Sequence, residues 1–467
     1  MPNTIAYAAL LAWPVVTLIL MLAMPARLAV MWSLVGGYLL LPVEAASFDY
    51  KGVPALDKNS IPNLAAFVLA FLLAGRGGFR WPRSMTVNVL MVCFILSPFL
   101  TSLGNTDPIA LGAAYLPAMD LYTAFSLSAA NAITLLPFIL GAAMLRDEAS
   151  HRELLLVFAL AALAYSLPVL AEIRLSPFIG GKLYGVGTVE YFLQQMRGGG
   201  FRAMVFVGHG LLVSTFLGLS VVAAAGLWRA GRRVWFLPAG LCAAYLFVVL
   251  LLNKSVGPTI LTIMMVGLLT LLKPRRFFTV AFVIAAMVMT YPFLRANQLI
   301  PVEKITSLAS SVSEDRAESA DFRFRNEQLL LDRANARPLL GWGTFGRNRV
   351  FSFDGGDRTS DVAVTDGTWI IALGQYGWFG YFSLFGLLCY PLWHMFRVRR
   401  RISSPISAAL AAMLLFSLLD LVPNSSLRPI TWLIVGALSS LAVAPRPVQR
   451  RLAPQALEPR EPQPAAA

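Results

Sequence analysis

The 467-residue chain is 57% apolar by residue type and 13% charged, with a mean hydropathy of +0.68 and a net charge of +14. Soluble globular domains carry about 25% charged residues, so the composition excludes a water-soluble fold and describes a polytopic membrane protein. The basic excess lies in short loops between apolar runs and forms no free-standing basic domain, which excludes nucleic acid as a partner.

In chain order, apolar runs fall at 5–24, 28–42, 61–75, 85–104, 121–145, 154–173, 205–228, 234–252, 255–272, 277–294, 368–396, 406–422 and 427–444. Spanning an apolar layer of about 30 Å takes roughly 20 residues per helix, so the expected fold is all-α, a bundle of roughly 12 or 13 transmembrane helices. The second and third runs are short, which leaves the count open by one. The first run has no basic segment before it and no small-residue cleavage site, and reads as a retained span. Cys93, Cys242 and Cys389 all lie inside apolar runs, which offers neither a disulfide framework nor a metal site.

Arginine and lysine occupy alternate loops: Arg76, Arg80 and Arg83; Arg146 and Arg152; Arg229, Arg232 and Arg233; Lys273, Arg275 and Arg276; Arg397, Arg399, Arg400 and Arg401. By the positive-inside rule these loops are cytoplasmic. The division that follows is 1–294, a first set of transmembrane helices; 295–367, a large periplasmic loop; 368–444, a second set; and 445–467, a Pro- and Ala-rich disordered tail in the cytoplasm. No internal repeat is visible, so the inverted-repeat signature of many transporters is lacking.

The polar chemistry concentrates in the outer connections. The 295–367 interval, with ten basic and eleven acidic side chains, is far longer than an ordinary connection of about 15 residues at most. Within it "SADFRFRNEQLLLDRANARPLLGWG" is expected to form an amphipathic helix capped by Asp321 and ended by Pro338 and Gly341. Arg323, Arg325, Arg333 and Arg337 would project from it, and Arg347 follows the "GWGTFG" turn. A guanidinium fork donates two hydrogen bonds to a phosphate and does not lose its charge. The alternative is a solvated face on which Arg323 pairs with Glu327 and Arg333 with Asp332 or lipid phosphates. Gly341, Gly343 and Gly346 permit either a tight turn or close approach of a ligand.

Asp354, Asp357 and Asp361 lack the spacing of a calcium loop and read as turn residues. Asp366 sits where the chain re-enters the membrane. It is either the N-cap of the helix "GTWIIALGQYG", worth about 1 kcal/mol, or a general base at the lipid surface. Trp369, Tyr376, Trp378 and Tyr381 fit an interfacial aromatic belt. In the second outer segment, 174–204, Arg197 and Arg202 reach the mouth of the next helix, and His209 is placed about two turns into it, as a satisfied interior histidine or as a catalytic one.

Together, "FRFRNEQLLLDRANARPLLGWGTFGRNRVF" and "VTDGTWIIALGQYGWFGYF" resemble the O-antigen ligase and O-antigen or exopolysaccharide polymerase family of bacterial inner membranes. In that family an arginine precedes a Pro-Leu-x-Gly-x-Gly turn by about four helical turns, a spacing that Arg323 and Pro338 fit, and a short re-entry helix ends in a Gly-rich break. Ligases typically carry a histidine where this chain has Asp366, so the likeness is nearer to the polymerase branch.

The resemblance implies a GT-C-like, metal-independent glycosyltransferase without cofactor, acting on the periplasmic face of the inner membrane. Its donor would be an oligosaccharide on polyprenyl (undecaprenyl) pyrophosphate, its acceptor another lipid-linked repeat, and its companions membrane lipids, a flippase and a chain-length regulator. Arg197, Arg202, Arg323 and Arg325, with Arg333, Arg337 and Arg347 beside them, would hold pyrophosphate or glycan. Asp366 or His209 would activate the acceptor hydroxyl. The rival expectations are a ligase that transfers glycan to lipid A core or protein, and a polysaccharide or solute transporter with ion-coupling groups near the bilayer midplane.

Overall fold

The computed structural model describes residues 2–43, 45–50, 53–111, 114–186, 195–197, 199–311, 314–353, 359–402 and 404–441. Its elements are helices: α1 Thr4–Ala23, α2 Ala26–Leu40, α3 Ser60–Leu73, α4 Met85–Leu103, α5 Leu121–Met144, α6 Glu148–Leu175, α7 Gly210–Arg229, α8 Ala239–Leu252, α9 Val256–Leu271, α10 Pro274–Ala296, α11 Val302–Ser310, α12 Glu314–Asn335, α13 Thr368–Val398, α14 Pro405–Asp420 and α15 Pro429–Ser439. The strands described are short antiparallel hairpins in the connections, such as Ile109–Leu111 with Ala114–Leu116. α1, α4, α5, α6, α7 and α10 are long and apolar enough to cross a membrane, and α2, α3, α8, α9, α14 and α15 are shorter apolar helices packed among them. This is an all-α, multi-pass membrane bundle.

Local chemistry sets the helix ends. Asp120 caps α5 by accepting from the Thr123 amide, and Asp147 opens α6 in a reciprocal capping arrangement with Ser150. The Ser150 amide holds the Asp147 carboxyl below the usual carboxylate range. Pro274 and Pro405 stand in the first turns of α10 and α14, where their missing N–H costs nothing. Prolines at 98, 137, 168, 292 and 391 lie inside helices, which membrane helices tolerate when neighbours satisfy the freed carbonyls.

The middle of the bundle is α7, which packs against α6, α8, α9 and α14; 89% of its apolar window is buried, against 28% for α1 at the rim. The closest approach joins α5 and α15. A Cβ on Gly141 would collide with the Leu433 carbonyl, and one on Gly436 with the Phe138 carbonyl. Without a hydrophobic drive between helices in lipid, small residues that let backbones touch supply the packing.

The bundle has two chemically distinct ends. One gathers Arg27, Arg80, Arg83, Arg146 and Arg229, with Arg27 paired to Glu153 at 2.7 Å. The other carries the connection 297–367 and the polar groups discussed below. Three expectations are corrected here. α7 starts at Gly210 instead of near 205, α12 starts at Glu314 so that Asp321 lies inside the helix, and Trp369 and Tyr381 are buried in the core instead of forming an interfacial belt. Tyr381 donates to the Met289 carbonyl at 3.1 Å, so its hydroxyl is satisfied without water.

Candidate functional site at the long-loop end

The helix that begins at Thr368 is broken, as the resemblance implies. Within α13, Gly377 adopts φ 62° and ψ −165°, which divides a short segment Thr368–Tyr376 from a longer one. A break in a helix leaves backbone groups without partners, and the segment 338–343 supplies them. Trp342 and Gly343 donate to the carbonyls of Gly374 and Gln375 at 2.9 Å each, while the amides of Trp378 and Phe379 donate to Pro338 and Leu339 at 2.8 and 3.1 Å. Gly341 and Gly377 face each other across this junction: a Cβ on Gly377 would collide with the Leu339 carbonyl, and one on Gly341 would lie 2.5 Å from that of Gln375.

Three of the arginines read as phosphate ligands are spent on holding this junction. Arg347 is 1% exposed and donates to the carbonyls of Trp342, Asp107 and Pro117 and to Asn105 Oδ1. Burial, then the neighbouring Arg337, holds its guanidinium below the usual arginine range. Arg333 donates to the Arg347 carbonyl and stacks on Trp342, with 3.4 Å from guanidinium carbon to ring centroid. Arg337 covers the same ring at 4.4 Å and donates to Gly104 O and Asn105 Oδ1. Arg347 has all three nitrogens engaged by protein oxygens, whereas Arg333 donates through Nε and Nη2 and Arg337 through Nη1. Arg325 pairs with Asp321 one turn away and is mostly exposed, on a different face from Arg323.

Arg323 does face the re-entry point. Its Nε lies 4.0 Å from Asp366 Oδ2, and both side chains are about half exposed. Asp366 is not the helix N-cap, which is Gly367, and Arg323 does not pair with Glu327, which has other partners. Glu327 accepts from the Tyr291 hydroxyl at 3.0 Å and pairs with Arg295 at 3.6 Å, which ties α12 to α10. Burial holds its carboxyl above the usual glutamate range, against the pull of the Tyr291 hydroxyl and of Arg295. Behind the pair, Asp420 is buried and accepts from Thr215, Ser426 and Asn424, within electrostatic reach of Arg323.

A cavity of about 530 Å³ has a lining that includes Lys58, Glu172, His209 and Arg428. Glu172, 1% exposed, braces two of its walls. Oε1 accepts from the amides of Phe178 and Ile179 and Oε2 from those of Met204 and Val205. His209 is the N-cap of α7, not an interior residue, and its Nδ1 accepts from the Leu211 amide at 3.1 Å. With Nδ1 so engaged, the neutral ring carries its proton on Nε2. Arg202 is buried beside the cavity and donates to Ser255 Oγ at 2.8 and 3.1 Å instead of lining it. Arg197 lies in the hairpin Met196–Arg197 with Gly200–Phe201, and its side chain is outside the described residues.

The loop 421–428 links the two features. The carbonyls of Leu421 and Asn424 accept from the Thr368 amide, two residues after Asp366, and Arg428 at the far end lines the cavity. Lys58 and Arg428 were missed by sequence reasoning because each stands alone in a loop. Pro429, directly after Arg428, fixes the start of α15, and it is the local signal that Arg428 marks a helix mouth. Asp354 and Asp357 lie outside the described residues, while Asp361 pairs with Arg349 at 2.7 Å. Among the described residues no cluster of three or more His, Cys, Asp or Glu side chains is placed to hold a metal. No protein-family model matches the chain, and no curated protein matches it.

Proposed function

We propose that the protein is a metal-independent glycosyltransferase that polymerises lipid-linked oligosaccharide repeats at the long-loop end of the bundle. On this reading that end faces the periplasm of a bacterial inner membrane and the C-terminal tail lies in the cytoplasm, as the distribution of basic loops requires. The observation that carries the reading is the half-exposed Arg323–Asp366 pair, tied through the loop 421–428 to a cavity lined by Lys58, Arg428 and His209. A carboxylate next to fixed cations is the equipment that a hydroxyl nucleophile and a pyrophosphate leaving group need.

The chemistry assigned is a displacement at an anomeric carbon. Asp366 takes the proton of the acceptor hydroxyl, whose oxygen forms the new C–O bond. The bond from the anomeric carbon to the pyrophosphate oxygen breaks, and the electron pair leaves with the polyprenyl pyrophosphate. Arg323, Lys58 and Arg428 stabilise the charge that builds on that leaving group, and Nε2–H of His209 donates to it. This assigns His209 as a donor, because accepting a proton at Nδ1 would cost the cap bond to Leu211. The carrier reading gains less support. Glu172 and Asp420 are buried at the long-loop end with their oxygens engaged by protein donors, instead of at mid-depth where coupling ions bind.

The test is the glycan made by cells carrying Asp366→Asn or Arg323→Gln, with the amount of inserted protein matched to wild type. Loss of long polymer with accumulation of single lipid-linked repeats supports the polymerase. Loss of glycan attached to lipid A core, with polymer still made on its carrier lipid, turns the reading to the ligase. Unchanged glycan at normal protein level overturns the enzyme reading at this site.

A further inference from the structure

At the arginine-rich end, Arg80 and Arg83 in the connection from α3 to α4 lie within electrostatic reach of Arg146 in the connection from α5 to α6, because α3 and α4 both pack against α5. Other arginines of this end each have a partner, although Arg27 Nε and Arg229 Nη1 are also shut off without an acceptor: Arg27 pairs with Glu153, Arg229 donates to the Leu272 carbonyl, and Arg397 lies over Trp393. Among the described residues, Arg80, Arg83 and Arg146 have no ion pair or side-chain hydrogen bond. Arg146 is half-buried, and its Nη1 is shut off from solvent with no acceptor. The adjacent Asp147 is committed to the cap of α6. Burial, then repulsion from Arg80 and Arg83, holds the Arg146 guanidinium below the usual arginine range. These three cations form a cluster for which the described residues supply no ion pair.

The surroundings specify what could neutralise it. Trp81 stands between Arg80 and Arg83 in sequence, about half exposed, with its indole N–H held by Asn88 Oδ1 at 3.2 Å. Leu72 at the end of α3 and Met85 and Val89 at the start of α4 are exposed large apolar residues, as on a helix surface that faces acyl chains. Tryptophan at such a boundary sits at headgroup level.

We propose that Arg80, Arg83 and Arg146 form a binding site for the phosphate of an anionic membrane lipid, with Trp81 at its headgroup and the exposed faces of α3 and α4 along its acyl chains. Guanidinium forks match phosphate oxygens, and basic residues at a membrane surface draw anionic lipid. The inference does not depend on the proposed activity.

The test follows thermal protection of the full chain in neutral detergent as phosphatidylglycerol, phosphatidylcholine or inorganic phosphate is added. The Arg80→Gln/Arg83→Gln variant changes two exposed residues, and Arg275→Gln/Arg276→Gln, also exposed, is the control for general surface charge. Phosphatidylglycerol alone should protect the wild type, with half-protection shifted to about tenfold higher lipid in the first variant and unchanged in the control. Equal shifts in both variants, or no shift in either, overturn the site. Protection by inorganic phosphate without lipid overturns the assignment to a lipid headgroup.

Discussion

The backbone amide of Trp342 donates to the carbonyl of Gly374 at 2.9 Å, so a turn in the long connection completes the hydrogen bonding of a broken helix. The fit depends on the absence of a side chain at Gly377, with its positive φ and the Leu339 carbonyl where a Cβ would be. Gly377→Ala should therefore destabilise the bundle by at least about 2 kcal/mol, combining backbone strain with overpacking. The readout is the unfolding midpoint in detergent; a shift within error would mean the junction yields easily.

Two arginines of the same connection should behave in opposite ways. Arg347→Lys leaves several buried carbonyls without donors, since one ammonium cannot reach the Trp342, Asp107 and Pro117 oxygens together, and each unpaired group costs about 1–3 kcal/mol. Arg325→Ala removes only an exposed pair with Asp321 and should change stability by about 0.5 kcal/mol or less. Yield of folded protein and the unfolding midpoint distinguish them.

Glu327 gives the stability a pH dependence with a definite sign. Burial raises its folded-state pKa above the ordinary 4.5, so the folded protein holds this proton more tightly than the unfolded chain does. The resulting contribution is fully present below the ordinary value and is lost as pH rises through the raised one. Wild type should lose stability relative to Glu327→Gln as pH rises from about 4 toward neutrality. A difference between the two proteins that is flat with pH would place the charge in a better-solvated site.

His209 serves as a helix cap and is assigned a proton on Nε2. Asparagine caps helices well, whereas alanine costs about 1 kcal/mol. His209→Asn should then fold like wild type and lose glycan synthesis, while His209→Ala loses synthesis and about 1 kcal/mol of stability. Full activity in the asparagine variant would reduce His209 to its capping role.

The Arg323–Asp366 pair is long and half exposed, and such pairs contribute about 0–1 kcal/mol. Arg323→Gln should leave the unfolding midpoint nearly unchanged while polymer is lost. Exchanging the two residues, Arg323→Asp with Asp366→Arg, restores the ion pair but moves the carboxylate, and should not restore synthesis. Recovery in the exchanged protein would mean that the pair acts through attraction alone.

By itself the sequence determined the all-α membrane bundle, since apolar runs of spanning length leave no other way to satisfy their backbone. The glycines of "GWGTFG" read locally as a turn, whereas the break at Gly377 is implied only by the family resemblance and is located by the structure. Only the tertiary structure decided which cations face an open site. Arg323, Arg333 and Arg347 are chemically alike in sequence, yet Arg323 meets Asp366 at the surface while Arg333 and Arg347 are sealed onto carbonyls, some from residues more than two hundred positions away. The same holds for Lys58, Glu172 and Arg428, which line one cavity from three distant parts of the chain. Helix and turn formation depend on neighbours along the chain, whereas the exposure of a charge depends on which distant backbone oxygens packing brings within about 3 Å.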